Sequence, residues 1–204
     1  LRLRKAYITL NDAYEQGTSM HGSPLEWELC DVSDDATEED YEGSKNMYNA
    51  FGAYIKKKKD CQGKSGCFAE KYLYINGTEW EDNINTAPHR YKIITNDGMS
   101  MAFHAYSHDC SKIQEDSDLR PICGLVFVDI NGPNKGKNMM GDDLFAFDLT
   151  EDGIFPHGAA TDTCLHQHCM VAGLHCTKWV IENENKEYLK CKDLSWSGKT
   201  KCNK

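Results

Sequence analysis

Apolar positions along this chain change their period, and each change marks a new element. Over residues 1–16, Leu3, Ala6, Tyr7, Leu10, Ala13 and Tyr14 recur at three- and four-residue spacing, the stripe of an amphipathic helix, and Gly17 predicts its stop. Residues 18–36 are acidic and loop-like. Thr37-Glu-Glu-Asp40 then has the capping-box layout, with Asp at its last position. A second helix is expected from there to about Lys58, with Tyr41, Met47, Tyr48, Phe51, Tyr54 and Ile55 as its stripe.

From Phe68 the period shortens to two. Lys71 to Ile75 reads as a strand ending at Asn76-Gly77, and Tyr91 to Phe103 as a hairpin turning at Asn96-Asp97-Gly98. Gly124 to Ile130 is an apolar, β-branched run that ends in the turn formers Asp129 to Asn134. Asp143 to Leu149 alternates, with Leu144, Ala146 and Asp148 on one side and Phe145, Phe147 and Leu149 on the other. Asp152-Gly153 supplies a tight turn before Ile154-Phe155-Pro156. Beyond it lies a cysteine-rich region with short helices expected at Lys178–Asn183 and Lys186–Lys190. The pattern predicts one α+β domain: a helix over 1–17, a helical and loop insertion over 18–70, an antiparallel sheet over 71–158 and a cysteine-rich end over 159–204.

Charge and cysteine usage narrow the function classes. Lys and Arg number 23 against 32 Asp and Glu, a net charge of −9, which argues against a nucleic-acid backbone binder. Lys56 to Lys59 is the one basic run, read as the solvated end of the second helix. No stretch approaches the roughly 18–20 apolar residues that span a bilayer. The ten cysteines stand at Cys30, Cys61, Cys67, Cys110, Cys123, Cys164, Cys169, Cys176, Cys191 and Cys202. Without a C-x-x-C spacing, they read as disulfides formed in an oxidising compartment. Cys61 with Cys67, and Cys110 with Cys123, are expected pairs. Cys30 must reach far along the chain, and the connectivity of the last five stays open. When oxidised, Cys164 and Cys169 would close a small ring that leaves His166 and His168 exposed. When reduced, the same segment with His175 and Cys176 would offer zinc ligands.

Residue types admit two further chemistries. Asp129, Asn131, Asn134, Asp142 and Asp143 bring oxygen ligands of the kind Ca²⁺ takes, and no other cofactor is expected. The loop is not an EF-hand, since Pro133 occupies the fifth position and Met140 the twelfth. The competing reading is an Asx-turn network, in which the same side chains bond local backbone amides. His157, His166, His168 and His175 with Asp162 are the groups an enzyme would draw on. No G-x-S-x-G, H-E-x-x-H or Gly-rich phosphate loop accompanies them, so a non-catalytic protein is expected.

Several segments resemble one family. Lys5-Ala-Tyr-Ile-Thr-Leu-Asn-Asp-Ala-Tyr14 is similar to the second half of the N-terminal helix of type IV pilin-like proteins with a prepilin-type N-terminus, one branch of which carries an LKKAYSTLNQA pattern. Val128 to Asn134, Gly141 to Phe147 and Gly153 to Pro156 resemble the sheet of that branch. Cys176 to Asn183, Glu187 to Cys191 and Leu194 to Trp196 resemble its ending.

The resemblance implies a pilin-like fold, a long N-terminal helix packed on an antiparallel sheet. It implies a structural subunit of a type IV pilus or type II secretion pseudopilus, at the cell surface or in the periplasm. Leu3, Tyr7, Leu10 and Tyr14 would belong to the helix that meets other pilin subunits, with the pilus or secretion assembly machinery as further partner. The resemblance also adds weight to calcium, which some pseudopilins bind at the sheet edge. The family's apolar first half-helix and its cleavage site do not appear in the sequence. The chain is therefore expected to be the head of a longer, membrane-anchored precursor. The alternative is a secreted, disulfide-rich adhesin that joins no filament, with Trp80, Trp196 and the tyrosines facing a carbohydrate or protein ligand.

Overall fold

Alternation of side chains builds a six-stranded antiparallel sheet in the computed structural model, which describes residues 2–32, 36–113 and 120–203. The elements run α1 (Arg2–His21), α2 (Tyr41–Ala50), β1 (Lys57–Gln62), β2 (Tyr91–Thr95), β3 (Ser100–Ala105), β4 (Lys112–Ile113), β5 (Pro121–Ile122), β6 (Gly124–Asp129), β7 (Leu144–Thr150), β8 (Gly153–Pro156), α3 (Asp162–Cys164) and α4 (Cys176–Asn183). The sheet order is β1-β2-β3-β6-β7-β8, while β4 and β5 pair in a separate ribbon between β3 and β6. Each strand of the main sheet thus lies beside its neighbour in sequence, and the α+β reading holds.

The two faces are covered by different means. On one, Ile93, Met101, Phe103, Val126, Val128, Phe145, Phe147 and Leu149 pack with Leu3, Ala6, Leu10 and Ala13 of α1 and Met47, Tyr48 and Phe51 around α2. Tyr7 stacks on Phe147 with ring centroids 5.5 Å apart, and Tyr48 on Tyr91 at 3.8 Å. The opposite face carries Ile94, Ala102, Leu125, Phe127, Leu144 and Ala146, and irregular chain bearing Phe68, Tyr72 and Ile84 covers it. Lys92, fully buried on that second face, ties the irregular chain down. Its ammonium donates to the carbonyls of Gly63, Asn85 and Ala87 at 3.2, 2.9 and 2.7 Å, and burial followed by the nearby Arg90 charge lowers its pKa to about 8.

Several expectations are corrected here. Gly17 does not stop α1, which runs on to His21 and ends at Gly22, whose φ is +76° and whose N–H returns to the Thr18 carbonyl. Gly17 is needed for close approach instead: a Cβ there would stand 2.6 Å from the Ala50 carbonyl oxygen and 2.7 Å from the Phe51 Cβ. The capping box forms as read, with Asp40 accepting from the Thr37 N–H at 2.8 Å. The second helix ends at Ala50, well short of Lys58, because Gly52 is pressed against Tyr48 and Phe103 and turns the chain. Lys57 to Lys59 thereby enter β1, an edge strand whose pairing with β2 is interrupted by register shifts. Exposed lysines and bulges on an edge are a device against further strand addition. Residues 71–75 do not form a strand: only Leu73 bridges, and the backbone N–H groups of Leu73, Tyr74 and Ile75 go to Asn138, Thr78 and Ala172 as the segment crosses the sheet.

The disulfides confirm the two expected pairs, supply the connectivity that was open, and correct the expectations for the Cys164–Cys169 ring and for Cys30. Cys61–Cys67 and Cys110–Cys123 form as expected, and Cys169–Cys176 and Cys191–Cys202 complete the four. The Cys164–Cys169 ring is not made, because Cys169 bridges Cys176. Cys164 lies outside the four bridges, its Sγ accepting the Ala159 N–H at 3.2 Å. Cys30 finds no distant partner: wedged against Gly43 of α2, its thiol donates to the Asp40 carbonyl at 3.4 Å, and burial pushes its pKa up.

Gly17→Ala, which on helix propensity alone would gain up to about 1 kcal/mol, should instead lower the urea midpoint, because the added methyl meets the backbone of Ala50. Lys92→Met should cost roughly 3 kcal/mol in the same measurement, since it leaves buried carbonyls without a donor.

Candidate functional site: the β6–β7 loop and the polar layer beside it

The loop of 130–143 is built outward from Asp129, the last residue of β6. Burial raises its carboxyl to about 6, against the Tyr72 hydroxyl and two backbone N–H groups that favour its charge. Its Oδ1 accepts from the N–H of Asn131 at 3.1 Å and of Gly132 at 2.9 Å, and its Oδ2 from Tyr72 at 2.5 Å. Gly132, at φ +83°, lies so close to the Gly98 carbonyl that a Cβ would stand 2.4 Å from its oxygen. The loop therefore leans on the β2–β3 turn.

The other expected calcium ligands are engaged separately. Asp143 accepts from the Asn131 side-chain amide at 2.7 Å and from the Lys137 N–H at 2.8 Å. Asp142 faces the cysteine-rich end, 2.8 Å from Lys186 and 3.5 Å from Lys137. Burial opposes its ionisation, but these ammonium groups outweigh that and hold its carboxyl below the usual range. Asn134 is exposed. Among the described residues, the trio of metal-ligating side chains that comes within 4.8 Å is Asp31, His108 and Asp109, all exposed, and not Asp129, Asp142 and Asp143. Asp129 thus bonds local backbone amides as an Asx turn does, while Asp142 is held by lysine ammonium groups and Asp143 by the Asn131 side chain and the Lys137 N–H. Calcium at these five residues would have to displace the bonds to Asn131, Lys137 and Lys186.

The stripe of α1 is likewise spent inside the domain. Leu3, Leu10 and Tyr14 are buried against the sheet, Tyr7 is stacked on it, and the Tyr14 hydroxyl donates to the Glu151 carbonyl at 2.6 Å. The outer side of α1 is left exposed, with Ile8 54% accessible.

Histidines form a layer on the second face of the sheet, in two groups, with His89, His104 and His157 buried and His168 and His175 half-buried. His157 Nδ1 lies 2.7 Å from Asp148, both buried, and the His175 ring is 4.6 Å from that of His157 and 5.3 Å from that of His168. Burial first, then the neighbouring imidazoles, lowers His175 to about 3. His166 is exposed, and Asp162 accepts the Trp196 N–H at 2.7 Å instead of joining the cluster. The reduced zinc site is not assembled, because Cys169 and Cys176 are bonded to each other.

The second group, His89, Arg90 and His104, escaped the sequence reading. Arg90 donates to His104 Nδ1 at 3.3 Å, pairs with Asp82 and lies over the Phe127 ring at 4.8 Å. Burial, then the Arg90 charge, lowers His89 to about 4 and His104 well below its ordinary value. The sequence carries a signal for it: on that face His104 follows Ala102 in β3 and Asp148 follows Leu144 and Ala146 in β7, ionisable groups set into largely uncharged strands.

Opposite pH slopes follow. The Asp129 carboxyl is raised on folding from 3.8, so its contribution to stability is present below about 4 and lost as pH rises through about 6. His89 is lowered on folding from 6.5, so its contribution is present above that value and lost as pH falls through about 4. Asp129→Asn should therefore deepen the loss of stability on acidification over this window, and His89→Leu should make it shallower. Urea midpoints at a series of pH values read both, and unchanged slopes would refute the assignments.

Compared with known proteins, the chain matches no family model, no curated protein and no solved structure.

Proposed function

We propose that this chain is the head domain of a pilin or pseudopilin, a non-catalytic structural subunit of a type IV pilus or type II secretion pseudopilus. The supporting observation is α1. Its residues resemble the second half of a pilin helix, and it lies with its apolar stripe on an antiparallel sheet. Arg2, in its first turn, is tied to the carbonyls of Ile130 and Asp97, so a longer helix would leave the head beside the β2–β3 and β6–β7 loops.

Other features fit a subunit that works outside the cytoplasm. Four disulfides suit an oxidising compartment. No helix among the described residues is long and apolar enough to cross a membrane, so anchoring would fall to sequence before Arg2. The adhesin alternative loses ground because its aromatic candidates are half-buried: Trp196 packs edge-on against Trp179 at 5.0 Å, and Trp80 beside Phe127 at 6.1 Å.

The codons upstream of Leu1 test the proposal. They should encode a prepilin-peptidase motif followed by about 20 apolar residues, and the full-length product should be recovered in sheared surface filaments or with a secretion pseudopilus. A cleavable secretory signal joined directly to this domain would overturn it in favour of the adhesin.

A further inference from the structure

Charge is divided between the two ends of the strands. At the end where β3 begins, a groove of about 750 Å³ is lined by Arg2 from α1, Lys58 and Lys59 from β1, and Lys135 from the β6–β7 loop. Its carboxylates are Glu70 and Asp97, and Asp97 is already engaged by Lys5 at 2.8 Å. Lys58 and Lys135 are exposed and form no ion pair among the described residues. In a chain of net charge −9, a groove with surplus cations drawn from separate elements is out of keeping with the whole. Edge protection by lysine accounts for β1 alone and not for Arg2 or Lys135.

Beside the opposite end stands an acidic segment. Where β3 finishes, the Ala105 N–H donates to Ser44 of α2 at 3.1 Å, and the Tyr106 carbonyl accepts from Val32. This places the acidic lead into α2 beside that end, with Glu38 and Glu39 exposed and in no ion pair among the described residues. A strand of six residues separates the two ends by roughly 20 Å. That is about two screening lengths at 0.1 M salt, so neither end neutralises the other within one molecule.

We propose that the basic groove receives the Glu38–Glu39 lead into α2 of a second copy, so that domains associate head to tail along the strand direction. Such a contact joins two different patches of the same chain, and therefore propagates instead of closing into a symmetric pair. It stands apart from the role of α1: its failure would leave the pilin reading intact, because that reading is tested by the upstream sequence.

Sedimentation velocity of the chain at about 50 mM and about 500 mM salt provides the test. Wild-type protein should form concentration-dependent oligomers at low salt, with association at least about tenfold weaker at high salt. The double variant Lys58→Glu/Lys135→Glu and the double variant Glu38→Lys/Glu39→Lys should each be monomeric alone. An equimolar mixture should associate again, since each reversed patch then meets a patch of opposite charge on the other variant. A wild-type protein that stays monomeric at low salt, oligomers indifferent to salt and to both reversals, or a mixture that does not associate would each overturn the proposal.

Discussion

The central strands are buried on both faces, and the rest of the molecule answers to that. Every residue of β3, β6 and β7 is buried. An antiparallel sheet commonly leaves one face to water; this one cannot, because Leu125, Phe127, Leu144 and Ala146 need cover as much as Val126, Phe145 and Phe147 do. One cover is regular. α1 and α2 bring their own backbone hydrogen bonds, and they need close contacts such as those at Gly17 and Gly52 to lie flat.

The other cover is irregular, so its backbone groups must be satisfied one at a time. Lys92 and Asn85 do much of this from beneath: Lys92 donates to three carbonyls, and the Asn85 side-chain oxygen accepts from Gly66 and Phe68. Disulfides complete the fastening. All four span short stretches, 6, 13, 7 and 11 residues apart, each constraining the unfolded chain by about 2–3 kcal/mol. They fix loops in place and do not link distant parts of the chain. The histidine layer belongs to the same economy, since a sheet face covered by loops has room for polar groups that a helix would have excluded.

Much of this was legible in the sequence, and the limits have physical reasons. The hairpins at Asn96-Asp97-Gly98 and Asp152-Gly153, and the two-sided alternation of β7, followed from local turn chemistry and period alone. Local pattern could not show that Gly17 serves a contact between α1 and the end of α2, because that requires knowing what lies opposite. For the same reason the lysine run read as a helix end: its lysines have no side preference of their own, and pairing with β2 decided the matter. In the β6–β7 loop the residue types were open to two chemistries. Which donors reach Asp142 and Asp143 depends on Lys137 nearby and on Lys186, far away in sequence.

The sheet order β1-β2-β3-β6-β7-β8 has a consequence for how such a chain acquires its shape. When strands add in sequence order, each finds its partner already present, and contacts close over short stretches of chain, which favours rapid folding. A chain emerging from its N-terminus could zip this sheet one strand at a time. α1 is the exception. Its C-terminal half can meet Trp27 and the end of α2 early, but the phenylalanines under Tyr7 and the rest of its stripe arrive only with β7, so that part stays uncovered until then.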